Sequence, residues 1–187
     1  MKKIYFSTGN PFKLKNAKKH LGDIFDVHGI DLHTPEPQSL DQKYVAEYKL
    51  REAFEKLNSP VFVEDLGLYI NKFNQFPGVI TAYVLKGIGL DGIKKLINEN
   101  EPAFYQTTVA YKDENLEIFV TTKMEGHLTI ANMSKNFHIM SPFKSMFVPN
   151  GHEVPIADLS QKEQELLDYN KKAYCNFKKE LLKNKII

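Results

Sequence analysis

The chain has 187 residues, 42% of them hydrophobic and 26% charged, with a formal net charge of +2. It can bury one substantial core, but it is too near neutrality to present a general nucleic-acid surface. The single cysteine, Cys175, excludes an internal disulfide framework, and no apolar run reaches the roughly 20 residues that a membrane span requires. Met1-Lys2-Lys3-Ile4-Tyr5-Phe6 runs into a strand without a secretory apolar core, so a cytoplasmic location is expected. Residues 4–6 form the first predicted strand, and Ser7-Thr8-Gly9-Asn10-Pro11 is a turn leading into a helix that carries Leu14, Ala17 and Leu21 and closes at Gly22. This junction would aim backbone N–H groups and the positive end of a helix dipole at an anion, with Lys13 adding a full charge. The loop matches neither common glycine-rich nucleotide pattern. Asn10 as a simple helix cap beside a solvated Lys13 is the competing reading.

Residues 25–32 read as a second strand, followed by a polar loop in which Pro35 and Pro37 stiffen the backbone around Glu36. That carboxylate is either simply exposed or preset as a metal ligand. Ala46, Leu50, Ala53, Phe54 and Leu57 make one helical stripe, with Lys49 at its border, able to snorkel outward or lean into a cleft. Val61-Phe62-Val63 is a buried strand predicted to end at Glu64 and Asp65, where Gly67 permits a sharp departure. Carboxylates at a strand's carboxyl end would stand at the lip of a ligand site; solvated turn residues are the alternative. Leu68-Tyr69-Ile70 is extended, residues 74–78 form a turn, and residues 91–97 form a short helix turning Ile93, Leu96 and Ile97 inward.

Strands at 104–111 and 116–124 form a hairpin across Lys112-Asp113-Glu114-Asn115. Residues 145–148 are extended before a turn at 149–151. Ser160 and Glu163 form a capping box that opens a last helix with Leu166, Ala173, Tyr174, Phe177 and Leu181 inward, Cys175 packed, and a solvated lysine-rich end at 178–185. His20, His28, His33, His127, His138 and His152 show no metal-ligand spacing. Phe73, Phe76, Tyr83 and Val84 could form an apolar patch for a dimer partner. Early alternation of helices and strands followed by local strand pairing predicts a mixed sheet with helices on both sides.

Five pieces stand in order along the chain: Ser7-Thr8-Gly9-Asn10 followed by Lys13, Pro35-Glu36-Pro37-Gln38-Ser39, Lys49 sixteen residues before Asp65, Val63-Glu64-Asp65 followed by Gly67, and Pro77-Gly78. Together they resemble the inosine triphosphate pyrophosphatase family, and the resemblance covers nearly the whole chain. It implies an α/β fold, two-lobed around a long twisted mixed β-sheet flanked by helices. Residues 1–187 would make one such domain with the active cleft between its lobes, usually paired as a homodimer and using Mg2+. Carried over by residue, Thr8, Gly9, Asn10, Lys13 and Lys49 would hold phosphates, Glu36 and Asp65 would hold metal, and Asp65 would activate water with Glu64 as the second choice.

The chain also departs from that family. Asn16 stands where the opening helix has a glutamate, and Leu66 where a serine or threonine follows the two acids. In the base-reading segment, Phe143 and Lys144 align where an aromatic residue and an acid are usual, and Gln164, Tyr169 and Asn170 replace a lysine, a histidine and an arginine. The expectation is a Mg-dependent enzyme that hydrolyses (d)NTP to (d)NMP and pyrophosphate with altered base preference. Its alternatives are the standard inosine and xanthosine triphosphate activity and a catalytically inactive nucleotide-binding relative. No nucleic-acid or membrane partner is expected.

Overall fold

Strand β1, Lys2–Ser7, lies parallel to β2, Phe25–Ile30, along its whole length, and α1, Pro11–Leu21, makes the crossover. The computed structural model from which this is taken describes residues 1–136, 142–167 and 169–186, the side chain of Tyr169 excepted, so His138, Ser141 and Asp168 lie outside the described residues. On its other edge β1 pairs in parallel with β3, Val61–Ile70, through Tyr5 and Val61 and through Phe6 and Phe62. The sheet then continues to β5, Glu101–Lys112, β6, Glu117–Leu128, and β7, Phe147–Pro149, while the two-residue β4, Pro77–Gly78, pairs antiparallel with β3. Parallel and antiparallel ladders in one sheet of seven described strands, flanked by helices, make a mixed α/β fold.

The chain divides into two compact units, the first comprising Met1–Leu66, Thr107–Thr122 and Tyr169–Ile187, the second Gly67–Gln106 and Lys123–Asp168. In the first unit, alternation along β3 decides which helix covers which face. Phe62 joins Ile4, Phe6, Val109 and Tyr111 beneath Ala17 and Leu21 of α1 and Ala173, Tyr174, Phe177 and Leu181 of α5, Tyr169–Lys183. Val61 and Val63 point the other way, against Ala46, Leu50 and Ala53 of α2, Gln42–Leu57. Phe6 and Phe62 stack at 4.4 Å between ring centroids.

In the second unit, α3, Thr81–Leu96, is kinked at Gly89, whose φ of 62° suits glycine. The Leu68 backbone N–H donates to Thr81 Oγ1 at 2.9 Å, and Tyr69 and Phe104 stack at 4.9 Å. The Glu99 carboxylate accepts from Thr129 Oγ1 and from the N–H groups of Ile130 and Ala131, which hold it below the usual carboxyl range.

Several expectations are corrected. β3 does not end at Glu64 and Asp65 but runs on to Ile70, because β4 prolongs its ladder. Gly67 serves that pairing: a Cβ there would lie 2.5 Å from the Gly78 carbonyl oxygen. β2 stops at Ile30, and Ser145 belongs to a 3-10 turn, Pro142–Ser145, that precedes β7. The helix expected at 91–97 begins ten residues earlier, its first half weakened as a signal by Gly87 and Gly89; Ile93 and Ile97 are buried but Leu96 is exposed.

The capping box of Ser160 and Glu163 opens only the short α4, Gln161–Leu166, which leaves Leu166 exposed, and α5 begins separately. Cys175 is exposed, one position past the buried pair Ala173 and Tyr174. Lys178 is not merely solvated, since its Nζ contacts both carboxylate oxygens of Asp23 at 2.6 and 2.9 Å. Among the described residues no helix is long and apolar enough to cross a membrane.

Candidate active site

Thr8 leaves β1 with its N–H donating to Ile30 O at 2.9 Å, and its Oγ1 accepts from Asn10 N at 3.1 Å. Asn10 then caps α1: its Oδ1 accepts from Phe12 N at 2.9 Å and Lys13 N at 3.3 Å, and Pro11 fills the first helical position, where no N–H is needed. The free helix-end donors expected for an anion are therefore partly taken up by Asn10 itself. What remains for an anion is chiefly the Lys13 ammonium and the dipole. Gly9 is tightly placed, because a Cβ there would run into the carboxylate of Asp31.

From α1, Lys13 reaches β3. Its Nζ donates to the Glu64 backbone oxygen at 2.9 Å and stands 3.6 Å from Glu64 Oε1. The other oxygen, Oε2, accepts from the hydroxyl of Tyr174 at 2.6 Å, so the Glu64 side chain is fully buried between α1 and α5. The next residue, Asp65, points to the opposite face. There Lys49 of α2 lies 3.6 Å from Asp65 Oδ1 and donates to Glu36 Oε1 at 2.7 Å, so one ammonium bridges two carboxylates. Burial disfavours that ammonium, but the Asp65 charge and then Glu36 outweigh it, and Lys49 is held above the ordinary lysine range. It stays charged throughout the neutral range. Of the two readings open for Lys49, leaning inward is the one realised.

Thr8, Gly9, Asn10, Lys13, Glu36, Lys49, Glu64 and Asp65 thus all belong to the first unit, and a chain of contacts links α1, β3, α2 and the 33–39 loop. Asn170, buried in the first turn of α5, belongs to the same unit. Phe143, Lys144 and Gln164 belong to the second: Phe143 is buried, Lys144 is half-buried, and Gln164 Nε2 donates to Leu159 O at 2.9 Å. The side chain of Tyr169 lies outside the described residues.

No group of three or more His, Cys, Asp and Glu converges among the described residues. Two carboxylate oxygens, Glu64 Oε1 and Asp65 Oδ2, are nevertheless buried without a hydrogen bond. Asp65 Oδ2 lies on the face that also carries the Glu36 carboxylate, and a hard divalent cation takes one or two such protein oxygens with water and phosphate oxygens completing the shell, so Asp65 and Glu36 fit one; Glu64 Oε1, on the opposite face beside Lys13, is not part of that set. Sequence reasoning missed two contributors, Asp31 beside Gly9 and Tyr174 on Glu64. For Tyr174 a signal existed: a tyrosine inside a buried helical stripe must find a partner for its hydroxyl.

The sequence model of the Ham1 family matches residues 4–180. A dITP/XTP pyrophosphatase from Thermococcus kodakarensis is 31% identical over 188 residues, covering 97% of this chain and 100% of the relative. One from Methanopyrus kandleri is 33% identical over 179 residues, 94% of each. The solved Ham1 protein of Staphylococcus aureus superposes with a TM-score of 0.80 at 18% identity, over 98% of this chain and 100% of that one, a likeness of fold.

Proposed function

Because this chain belongs to the Ham1 family, we propose that its site hydrolyses nucleoside triphosphates to the monophosphate and pyrophosphate. The observation that carries this is Lys49 held between Glu36 and Asp65 while Asp65 Oδ2 is buried without a hydrogen bond. A fixed ammonium beside an acceptor with spare capacity suits an attacking water next to a polyphosphate. Asp65 accepts the proton of the water whose oxygen attacks the α-phosphorus. The bond from that phosphorus to the bridging oxygen breaks, and pyrophosphate leaves with the electron pair. Lys13 and Lys49 offset the charge of the triphosphate, Thr8, Gly9 and Asn10 shape the loop beneath it, and Glu64, the second choice of base on sequence, is fully buried with Tyr174 on one oxygen and holds Lys13 without taking part in the chemistry.

Glu36 and Asp65 are the proposed ligands of Mg2+, which when bound neutralises phosphate charge and orients the water. To hold the ion Glu36 would give up its bond to Lys49, which would free that ammonium for the substrate.

Base choice is proposed to fall to Phe143, Lys144, Gln164, Tyr169 and Asn170. A 6-keto purine presents an N1–H donor beside an O6 acceptor and calls for an acceptor next to donors. Lys144 supplies a donor in place of an acid, so a base edge richer in acceptors is favoured. The names of the two relatives above favour the second reading, in which dITP and XTP are the substrates. A homodimer is proposed through the Phe73 to Val84 region and α3, where Tyr83 and Ile88 are exposed; size measurement at micromolar concentration gives a dimer, and a strictly monomeric species refutes it.

The activity is tested by orthophosphate release from a panel of triphosphates, with and without added inorganic pyrophosphatase. Orthophosphate should emerge only with the helper enzyme and should not be fastest from inosine triphosphate. Silence across the panel would leave the nucleotide-binding relative without catalysis.

A further inference from the structure

Tyr174 ties the C-terminal helix to the anion loop through a single buried carboxylate. Its ring is fixed on two sides, 5.7 Å from the His20 ring of α1 and edge-on to Phe62 of β3 at 6.5 Å, and the residue is completely buried. Its hydroxyl donates to Glu64 Oε2 at 2.6 Å. That bond fixes the carboxylate plane and turns Oε1 toward Lys13 Nζ, 3.6 Å away, while the same ammonium donates to the Glu64 backbone oxygen. Among the described residues Oε1 meets no hydrogen-bond donor, and Tyr174 is the side chain that fixes the carboxylate's direction by hydrogen bonding.

We infer that Tyr174 is a positioning residue for Lys13: acting through Glu64, it holds the Lys13 ammonium at the Thr8-Gly9-Asn10 loop for the polyphosphate of the substrate. A carboxylate deprived of this donor would turn in search of another. Lys13, left with a carbonyl alone, would then sample the rotamers of a long flexible side chain and lose affinity for an anion. This inference rests on the reading of Lys13 as a phosphate contact, and its test is chosen to separate the two.

The experiment uses the full chain and inorganic tripolyphosphate as probe, measured by calorimetry without metal, together with the 1H–13C resonance of the Lys13 ε-methylene. Tyr174→Phe keeps the ring and removes the hydroxyl. It should weaken tripolyphosphate binding about three- to tenfold, move the Lys13 resonance, and add nothing further when combined with Lys13→Ala. Binding equal to the parent's, or losses that simply multiply in the double variant, would overturn the inference. A Lys13 resonance unmoved by Tyr174→Phe overturns the positioning whatever the anion does; a parent that binds no tripolyphosphate instead overturns the phosphate role of Lys13 and leaves the positioning to be decided by that resonance. If melting shows that Tyr174→Phe does not fold, Glu64→Gln, which retains the tyrosine and the side-chain shape, should give the same loss and the same movement.

Discussion

Glu64 and Asp65 are neighbours on one strand, yet the pleat sends them to opposite faces of the sheet, where they meet opposite circumstances. Glu64 is enclosed between α1 and α5 with a neutral hydroxyl on one oxygen and a lysine beside the other. Asp65 faces α2, and its lysine is shared with Glu36, whose own side chain is 40% exposed. A carboxylate locked by a buried tyrosine is suited to holding structure in place. One whose partner can be exchanged for a ligand is suited to chemistry. Each face pairs one acid with one lysine, so composition alone makes them look equivalent; what separates them is burial and the nature of the third partner.

The sharpest way to break this comparison is Asp65→Asn, which preserves shape and removes the acceptor charge. Steady-state kinetics should show turnover down by about a thousandfold with the melting temperature nearly unchanged, whereas activity within about threefold of the parent would remove Asp65 from the chemistry. The matching change on the other face, Glu64→Ala, should act first on stability. It strands the Tyr174 hydroxyl and opens a void, so urea unfolding should show a loss of about 3 kcal/mol, a fall in Tm on the order of 10 °C. An unaltered unfolding midpoint would contradict the structural role of Glu64.

Lys49→Met retains the apolar stem and leaves two carboxylates facing each other, and kcat/KM should drop about a hundredfold. Lys13→Ala should raise KM for a triphosphate about tenfold while leaving nucleoside binding alone; equal effects on both would remove its phosphate role. The smallest effect expected is that of Lys144→Asp, a few-fold shift of preference toward inosine triphosphate. A parent that already prefers inosine triphosphate clearly over other bases would refute the altered preference itself.

Much of the first unit was readable from local pattern. The β1–loop–α1 junction, the stripe of α2 and the tight turn between β5 and β6, and in the second unit the Ser160 capping box, all depend on residues within a few positions of one another. The expectation for Lys49 went as far as its place on the helix border, and its lean toward Asp65 could only come from the fold. What was not legible depends on distant pairing. Tyr174 meets Glu64 across 110 residues, and Lys13 meets the Glu64 carbonyl across 51. β4 is two residues long and has no periodicity to detect, so the continuation of β3 past Gly67 was hidden and the two acids were placed at a strand end. Leu166 was misplaced for a related reason, since α4 ends with it and α5 begins separately, while Cys175 lies one position past the buried Ala173 and Tyr174, off a stripe that is otherwise buried as expected.

The central claim is that the first unit cleaves a triphosphate between its α- and β-phosphates, and phosphorus-31 NMR of the products tests it directly. Incubation of the intact chain with a nucleoside triphosphate and magnesium should yield monophosphate and pyrophosphate in equal amounts, with no orthophosphate before pyrophosphate accumulates. Orthophosphate and nucleoside diphosphate as first products, or a triphosphate spectrum that does not change with any base, would contradict it.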